Sequence, residues 1–247
     1  MATAYDQEQL AAAGACFAQA SRLLYCEPDA DEVAAQVRER LFEAAPFGMD
    51  DEYVRRGLAC MDAWCVEAAR VSDADGPEAF GELVRALKRE WFRLFVGAGT
   101  PDAPCWESFY LEPNSQMFGE RTLEVRAAYR RSGLQIERLH AEPDDHLGLM
   151  LGFMGHLCGA EADALADGRE DAAHEAAAEQ EAFLAEHVLP WLAVWQYAVD
   201  KHAASDYYRG AGSFAFGLCA RYARRFGIAF DEEKRAFARA GDKAETA

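Results

Sequence analysis

Apolar residues recur at helical spacing along almost the whole chain, and no stretch alternates convincingly between apolar and polar residues as a strand does. Helices are predicted at about residues 6–26, 30–44, 50–71, 77–96, 119–132, 143–166, 170–188, 190–204 and 206–226. Prolines between several of these segments mark their boundaries, because proline breaks the interior of a helix. The pattern predicts an all-α protein.

The predicted helices are expected to form a single compact multi-helix domain over residues 1–230. A polar C-terminal tail is expected at residues 231–247. The segment at residues 132–142 interrupts the helical pattern. It is consistent either with a hinge between two helical halves or with an ordinary packed connection.

The charge balance restricts the partners of this chain. Its 43 Asp and Glu residues outnumber its 25 Lys and Arg residues, which gives a net charge of −18. Such a charge repels nucleic acids and anionic membrane surfaces and favours cationic partners. The sequence shows neither the basic and apolar start of a signal peptide nor an apolar run near the roughly 20 residues of a membrane span. A cytoplasmic protein is expected, with no membrane insertion and no nucleic-acid partner.

The seven cysteines predict neither a disulfide framework nor a metal site. They are odd in number and scattered, mostly among apolar neighbours, as is typical of reduced thiols in a protein core. Only Cys60 and Cys65 lie close together in the sequence, and no second pair completes a zinc or iron–sulfur motif. No metal or other cofactor is expected.

An aromatic segment lies within the longest stretch that lacks a helical pattern, residues 97–119. A connection of this length in a compact domain is usually functional or disordered, and its aromatic content argues against disorder. The preceding helix ends in a further apolar face. The two sets are Trp91, Leu94 and Phe95 on the helix, and Trp106, Phe109 and Tyr110 in the loop. Aromatic residues at helical spacing are usually core, but beside carboxylates the loop residues favour an apolar groove for a peptide.

Residues 142–146 place three carboxylates and an imidazole directly before an apolar run at residues 147–151. As a helix start, this run has Glu142 as the N-cap and Pro143 as the first helical residue, followed by acids that complement the helix dipole. His146 then lies one turn into the helix. As a site, the same residues are held rigidly at the entrance to a buried helix. The two interpretations are compatible.

A metal- or nucleotide-dependent enzyme that uses His140, Glu142, Asp145 and His146 is an alternative, because these side chains are suitable metal ligands. No complete motif supports it. The chain has no His-Glu-x-x-His helix, no phosphate-binding glycine loop and no serine or cysteine in the context of an activated nucleophile. A third hypothesis is a scaffold whose acidic segment at residues 161–186 docks another subunit.

Three segments, taken in order, resemble a known family. Residues 91–95, 104–110 and 142–146, supported by residues 186–191, are similar to the TorD/DmsD/NarJ family of cytoplasmic redox-enzyme maturation chaperones, especially its TorD/DmsD branch. The resemblance implies an all-helical fold and a role without catalysis. It also implies binding of the N-terminal twin-arginine signal peptide of a molybdopterin-dependent oxidoreductase, which is held back from export while its cofactor is inserted.

By the same resemblance, the peptide groove has an apolar wall and a polar lip. The wall comprises Trp91, Leu94, Phe95, Pro104, Trp106 and Tyr110, and the lip comprises Glu142, Pro143, Asp145 and His146. A peptide arginine can pair in bidentate fashion with a carboxylate, for which Asp145 or Glu142 is the candidate, with His146 orienting it. The expected client is the apo-form of the oxidoreductase catalytic subunit. Contact with the Tat translocase is left open, as are a monomeric and a domain-swapped dimeric state.

Overall fold

The computed structural model describes residues 4–112, 118–135 and 143–239, and these ranges are mostly helical. The first half contains α1 (Gln7–Tyr25), α2 (Ala30–Arg38), α3 (Glu52–Trp91), α4 (Glu107–Leu111) and α5 (Glu120–Arg131). The second half contains α6 (Leu147–Ala166), α7 (Glu170–Phe183), α8 (Leu189–His202) and α9 (Asp206–Ala223). Short π-helical segments, Phe92–Val96 and Leu184–Val188, follow α3 and α7. The all-α prediction is confirmed.

Local capping signals explain why several helices begin close to the predicted residue. Asp6 opens α1 with a capping box, in which its carboxylate accepts from the amide of Gln9 and its own amide donates to the Gln9 side chain. Asp29 and Asp51 accept amide hydrogen bonds at the starts of α2 and α3. Each bond satisfies a donor that the first turn of a helix otherwise leaves unpaired.

Helix α3 covers two of the predicted helices, residues 50–71 and 77–96. Its backbone leaves the helical conformation at Gly76, whose φ of +83° lies in the region that favours glycine, directly before Pro77. The predicted boundary is therefore present as a kink, and the residues before Gly76 continue the first helix. By contrast, α2 ends at Arg38, well before the predicted residue 44.

The core is built around two closely packed helix pairs, α1 with α6 and α3 with α9. Helix α9 is buried on nearly all sides. Glycines allow both pairs to approach closely. A Cβ atom on Gly210 would lie 2.6 Å from the carbonyl oxygen of Gly57, and a Cβ atom on Gly148 would lie 2.7 Å from the Cβ atom of Tyr25. Helix α6, which carries Gly148, thus packs closely against α1.

A β-hairpin follows the last helix and differs from the expected polar tail. Strands β1 (Ile228–Asp231) and β2 (Ala236–Arg239) pair in antiparallel fashion. Phe230 and Phe237 face each other in this register, and both rings contact Phe216 of α9. Residues 231–239 therefore belong to the hairpin, because packing of these rings on α9 stabilises strands that are too short to show alternation. Residues 240–247 lie outside the described residues.

The predicted hinge lies largely outside the described residues, since it includes residues 136–142. Helix α5 ends at Arg131, and Gly133 adopts a positive φ of +73° just after it. Glycine in this conformation is a common helix stop. The interruption predicted near residue 132 is therefore a helix end in the structure.

Candidate functional site

The aromatic segment at residues 104–110 and the acidic segment at residues 143–146 lie side by side. Trp106 and His146 form an antiparallel bridge. Next to it, the amide of Leu147 donates to the carbonyl oxygen of Cys105 at 2.6 Å, and a second backbone bond of 3.1 Å joins the segments on the other side. We call this unit the motif junction. It comprises residues 104–111 and 143–147.

Helix α6 begins later than the sequence predicts. Its first residue is Leu147 and its N-cap is His146, whose Nδ1 accepts from the amide of Gly148 at 3.0 Å. Pro143 is buried in a turn before the helix, and its carbonyl oxygen accepts from the His146 amide at 3.2 Å. The prediction that Pro143 is the first helical residue is wrong, because the bridge to the aromatic segment holds this turn outside the helix. Glu142, the predicted N-cap and lip residue, lies outside the described residues.

The carboxylate of Asp145 is fully buried and faces into the protein. One oxygen accepts from the amide of Ser108 at 2.7 Å, and the other accepts from the hydroxyl of Thr122 at 2.8 Å. Ser108 belongs to α4 and Thr122 to α5, so one side chain ties both helices to the start of α6. Both carboxylate oxygens are therefore engaged within the protein.

The neighbouring carboxylate, that of Asp144, is also buried and pairs with a cation of the chain itself. Nη2 of Arg126 lies 2.6 Å from one oxygen, and Nε lies 3.1 Å from both. The hydroxyl of Tyr129 donates to the backbone carbonyl of Asp144 at 2.9 Å. Thr122, Arg126 and Tyr129 share one face of α5 by helical spacing. This face of α5 is therefore fixed against the motif junction.

His146 is buried between two aromatic rings. Its ring meets those of Tyr25 and Trp106 edge to face, with centroids 5.2 and 6.0 Å away. Burial lowers the pKa of His146 to about 3, so the imidazole is neutral near pH 7 and can accept the bond from Gly148. Its Nδ1 thus serves the helix start and not the carboxylate of Asp145, which the sequence suggests it orients.

The motif junction itself contains a buried acid that sequence reasoning did not select. Glu107 is fully buried, with its carboxylate 3.1 Å from Nδ1 of His187 and 3.6 Å from Arg121. Burial raises the pKa of Glu107, and the hydrogen bond with His187 opposes this effect. The indole of Trp191 donates to the carbonyl oxygen of His187 at 2.6 Å. Both Glu107 and His187 occur in segments that carry the family resemblance, but nothing in their spacing shows that they meet.

Most of the predicted apolar wall belongs to the buried interior. Leu94 and Phe95 are fully buried, and Pro104 and Trp106 are buried within the motif junction. The carbonyl oxygen of Leu94 accepts from the amide of Ala103 at 2.8 Å, which holds the end of the first wall segment against the loop. The structure therefore places these four predicted residues in the packed interior.

Two members of the predicted wall, Trp91 and Tyr110, are half-buried. The indole of Trp91 donates to the carbonyl oxygen of Leu24 at 3.0 Å. The hydroxyl of Tyr110 donates to the carbonyl oxygen of Pro104 at 2.9 Å, and its ring stacks on Trp191 with a centroid distance of 5.0 Å. Both aromatic rings are thus held in fixed orientations while part of their surface stays accessible.

The described residues offer little to the enzyme alternative. Within residues 4–112, 118–135 and 143–239, no three His, Cys, Asp or Glu side chains lie close enough together to hold a metal ion. His140 and Glu142 lie outside these ranges, and Asp145 and His146 form hydrogen bonds within the protein. No helix in the same ranges is both long and apolar enough to cross a membrane.

Comparison with known proteins assigns the family. The family model described as nitrate reductase delta subunit matches residues 78–196, which include the motif junction. The chain is 32% identical over 194 residues to the Tat proofreading chaperone DmsD of Salmonella paratyphi A, covering 77% of this chain and 88% of that protein. This chain belongs to the TorD/DmsD family of redox-enzyme maturation chaperones. The resemblance inferred from the sequence segments is confirmed.

Two further members of the TorD/DmsD family match over a shorter stretch. The Tat proofreading chaperone DmsD of Salmonella typhimurium is 32% identical over 130 residues, or 53% of this chain and 57% of that protein. The chaperone protein TorD of Vibrio vulnificus is 28% identical over 133 residues, or 54% of this chain and 60% of that protein. These two alignments thus span somewhat more than half of each relative, and both relatives are chaperones by name.

Proposed function

We propose that this TorD/DmsD-family chain is a cytoplasmic, non-catalytic chaperone that binds the twin-arginine signal peptide of a molybdopterin-dependent oxidoreductase. Its client would be the apo-form of the catalytic subunit, retained until the cofactor is inserted. The observation that carries most of this proposal is the motif junction, in which two of the segments behind the family resemblance form one internally bonded unit. The name Tat proofreading chaperone, carried by DmsD relatives, agrees with this role.

The proposed peptide surface lies over the motif junction. Trp91 and Tyr110 are assigned to direct contact with the peptide, because they are half-buried and held in fixed orientations. Their rings suit the moderately apolar stretch that follows the two arginines of such a peptide. Leu94, Phe95 and Trp106 support them from the interior. Because such support already fixes the two rings, less conformational entropy is lost when a peptide binds.

The arginines of the peptide need an accessible carboxylate. Both oxygens of Asp145 already accept hydrogen bonds inside the protein, and Asp144 is paired with Arg126. We therefore propose Glu142 as the acceptor, with Asp145 and His146 as positioning residues. The net charge of −18 attracts a basic peptide and raises its association rate, an effect that salt weakens.

Fluorescence anisotropy with a labelled leader peptide tests this function directly. The probe is the twin-arginine leader of any molybdopterin-dependent oxidoreductase found to be encoded beside this gene, and we expect a Kd in the micromolar range or below. Replacing both leader arginines by lysine should weaken binding at least about tenfold, or 1.4 kcal/mol, because lysine cannot form the bidentate pair. Failure of the natural leader to bind would refute the proposed function.

Matched variants of the chain locate the surface. Trp91→Ala, Tyr110→Ala and Glu142→Gln should each weaken leader binding about tenfold in a protein whose circular dichroism is unchanged. The control is Tyr197→Ala, which removes an exposed aromatic ring from α8 and should leave binding unchanged. An equal loss in the control would contradict the proposed location.

A further inference from the structure

A second groove runs between α8 and the terminal hairpin, and none of its lining residues belongs to the motif junction. One wall is a single helical face formed by Ala185, Leu189, Pro190, Ala193 and Val194. The other wall is formed by residues 235–239 together with Ile228. Apart from two arginines, these side chains are apolar. The groove is therefore an open, apolar channel between a helix face and a strand.

The groove follows the backbone edge of β2. Successive side chains of a strand point to opposite faces, yet every residue of β2, from 236 to 239, lines the groove. In the part of the chain that the structure describes, β2 pairs with β1 alone, along its other edge. The outward N–H and C=O groups of β2 therefore face the groove, in the arrangement that accepts an additional strand.

The side chains of β2 leave this edge accessible. Phe237 packs against Phe216 and Phe230, with ring centroids 5.7 and 5.0 Å apart, on the α9 side of the hairpin. Ala236 and Ala238 lie on the opposite face and are exposed. An incoming strand would thus bury apolar surface without displacing a large side chain.

Two arginines lie at the ends of the groove, in a chain whose net charge is −18. At one end, Cζ of Arg235 lies 5.3 Å from the ring centroid of Tyr197, and no described acidic side chain pairs with it. At the other end, Arg239 pairs with Glu181 at 2.5 Å. These contacts orient both guanidinium groups. They favour a segment that carries acidic residues and disfavour a basic signal peptide.

A second copy of this chain is a poor occupant of the groove. Antiparallel pairing of two β2 strands would bring Arg239 of each copy towards the other copy's turn, which carries Arg235. Like charges brought together by strand pairing oppose that pairing. The charge pattern instead suits a strand that brings an acidic side chain to the end at Arg235, because Arg239 already pairs with Glu181.

We propose that this groove binds an extended segment of a partner protein, with apolar side chains at alternate residues and an acidic residue at the end that lies near Arg235. The segment adds to the edge of β2 as a third strand and packs its apolar side chains against the face of α8 around Val194. This interface goes beyond the proposed signal-peptide function and does not depend on it.

Anisotropy of the full-length chain with a designed probe tests the proposal. The probe is a fluorescein-labelled peptide of sequence Glu-Val-Thr-Val-Thr-Val-Glu, and its control carries lysine in place of both glutamates. We expect saturable binding of the acidic probe and at least about tenfold weaker binding of the basic one. Val194→Asp and Arg235→Glu should each weaken acidic-probe binding about tenfold. The matched control is Leu123→Asp on α5, since Leu123 is 55% exposed and Val194 is 58% exposed.

Hydrogen exchange measures the added strand itself. Bound probe should slow exchange of backbone amides in residues 236–239, which is expected only if the peptide pairs with β2. Absent binding, equal binding of both probes, or an equal loss in Leu123→Asp would each overturn the proposal. Tighter binding by a chain that ends at Arg239 would show that the chain's own final residues compete for the groove, and it would overturn the proposal as well. Leader-peptide binding should be unchanged in Arg235→Glu, so failure of this interface and failure of the proposed function are distinguishable.

Discussion

Removal of the Asp145 carboxylate is the sharpest test of the motif junction. The substitution Asp145→Ala leaves the amide of Ser108 and the hydroxyl of Thr122 buried without their acceptor. Each unsatisfied buried donor costs about 1–3 kcal/mol, so the two together cost about 2–6 kcal/mol. Alanine also removes the cost of burying a carboxylate. We therefore expect a net loss of about 2–4 kcal/mol in the free energy of unfolding.

A second substitution, Asp145→Asn, should cause a smaller loss in the free energy of unfolding. Its amide oxygen can accept one of the two hydrogen bonds, from Ser108 or from Thr122, while its NH2 group faces the other donor. The loss should be about half of that for alanine, because one donor keeps its partner. Asp163→Ala is the matched control, since it removes an exposed carboxylate from the same helix, α6, and should change stability by less than about 0.5 kcal/mol.

Urea unfolding followed by far-UV circular dichroism gives the required free energies, and leader-peptide anisotropy is measured on the same samples. If Asp145 is a positioning residue, the free energy of unfolding is highest for the wild type, lower for Asp145→Asn and lowest for Asp145→Ala. The reasoning is refuted if Asp145→Ala is as stable as the Asp163→Ala control and yet no longer binds the leader. That result would mean that Asp145 faces the peptide.

Three further substitutions test other contacts. Gly148→Ala should lower the free energy of unfolding by about 1–3 kcal/mol in urea titrations, because the new Cβ atom would lie 2.7 Å from that of Tyr25. His146→Asn keeps an N-cap acceptor but does not titrate. The pKa of His146 is lowered by burial from 6.5 to about 3, so the unfolded state binds more protons between these values and wild-type stability falls as the pH drops from 6.5 towards 3. Urea midpoints measured across this pH range should show this loss of stability in the wild type, and His146→Asn should lack it. Glu161→Ala should cost about 3–5 kcal/mol because it removes the carboxylate partner of buried Arg225, whereas the double change Glu161→Leu with Arg225→Met should cost less in the same assay.

The helices could be predicted from the sequence because their signals are local. The capping box of α1 needs only Asp6 and Gln9, which lie three residues apart. The kink in α3 follows from Gly76 and Pro77 alone. The segments that resemble the TorD/DmsD family were also readable in the sequence, and the family assignment is confirmed.

The inward orientation of the Asp144 and Asp145 carboxylates could not be predicted from the sequence in the same way. The donors that hold Asp145 lie 37 and 23 residues away, in Ser108 and Thr122. Arg126, which pairs with Asp144, belongs to α5, and the helical spacing of α5 does not indicate that contact. An acidic run before a helix therefore predicts a helix start equally well whether its carboxylates face solvent or the interior.

By itself, the sequence determined the helical content, most helix boundaries and the family, because periodicity, capping and short motifs act over a few neighbouring residues. Only the tertiary structure decided where α6 begins, since the bridge between Trp106 and His146 must first bring two distant segments together. It also decided that the final described residues form a hairpin, because packing on Phe216 stabilises strands of four residues that their own propensity does not specify.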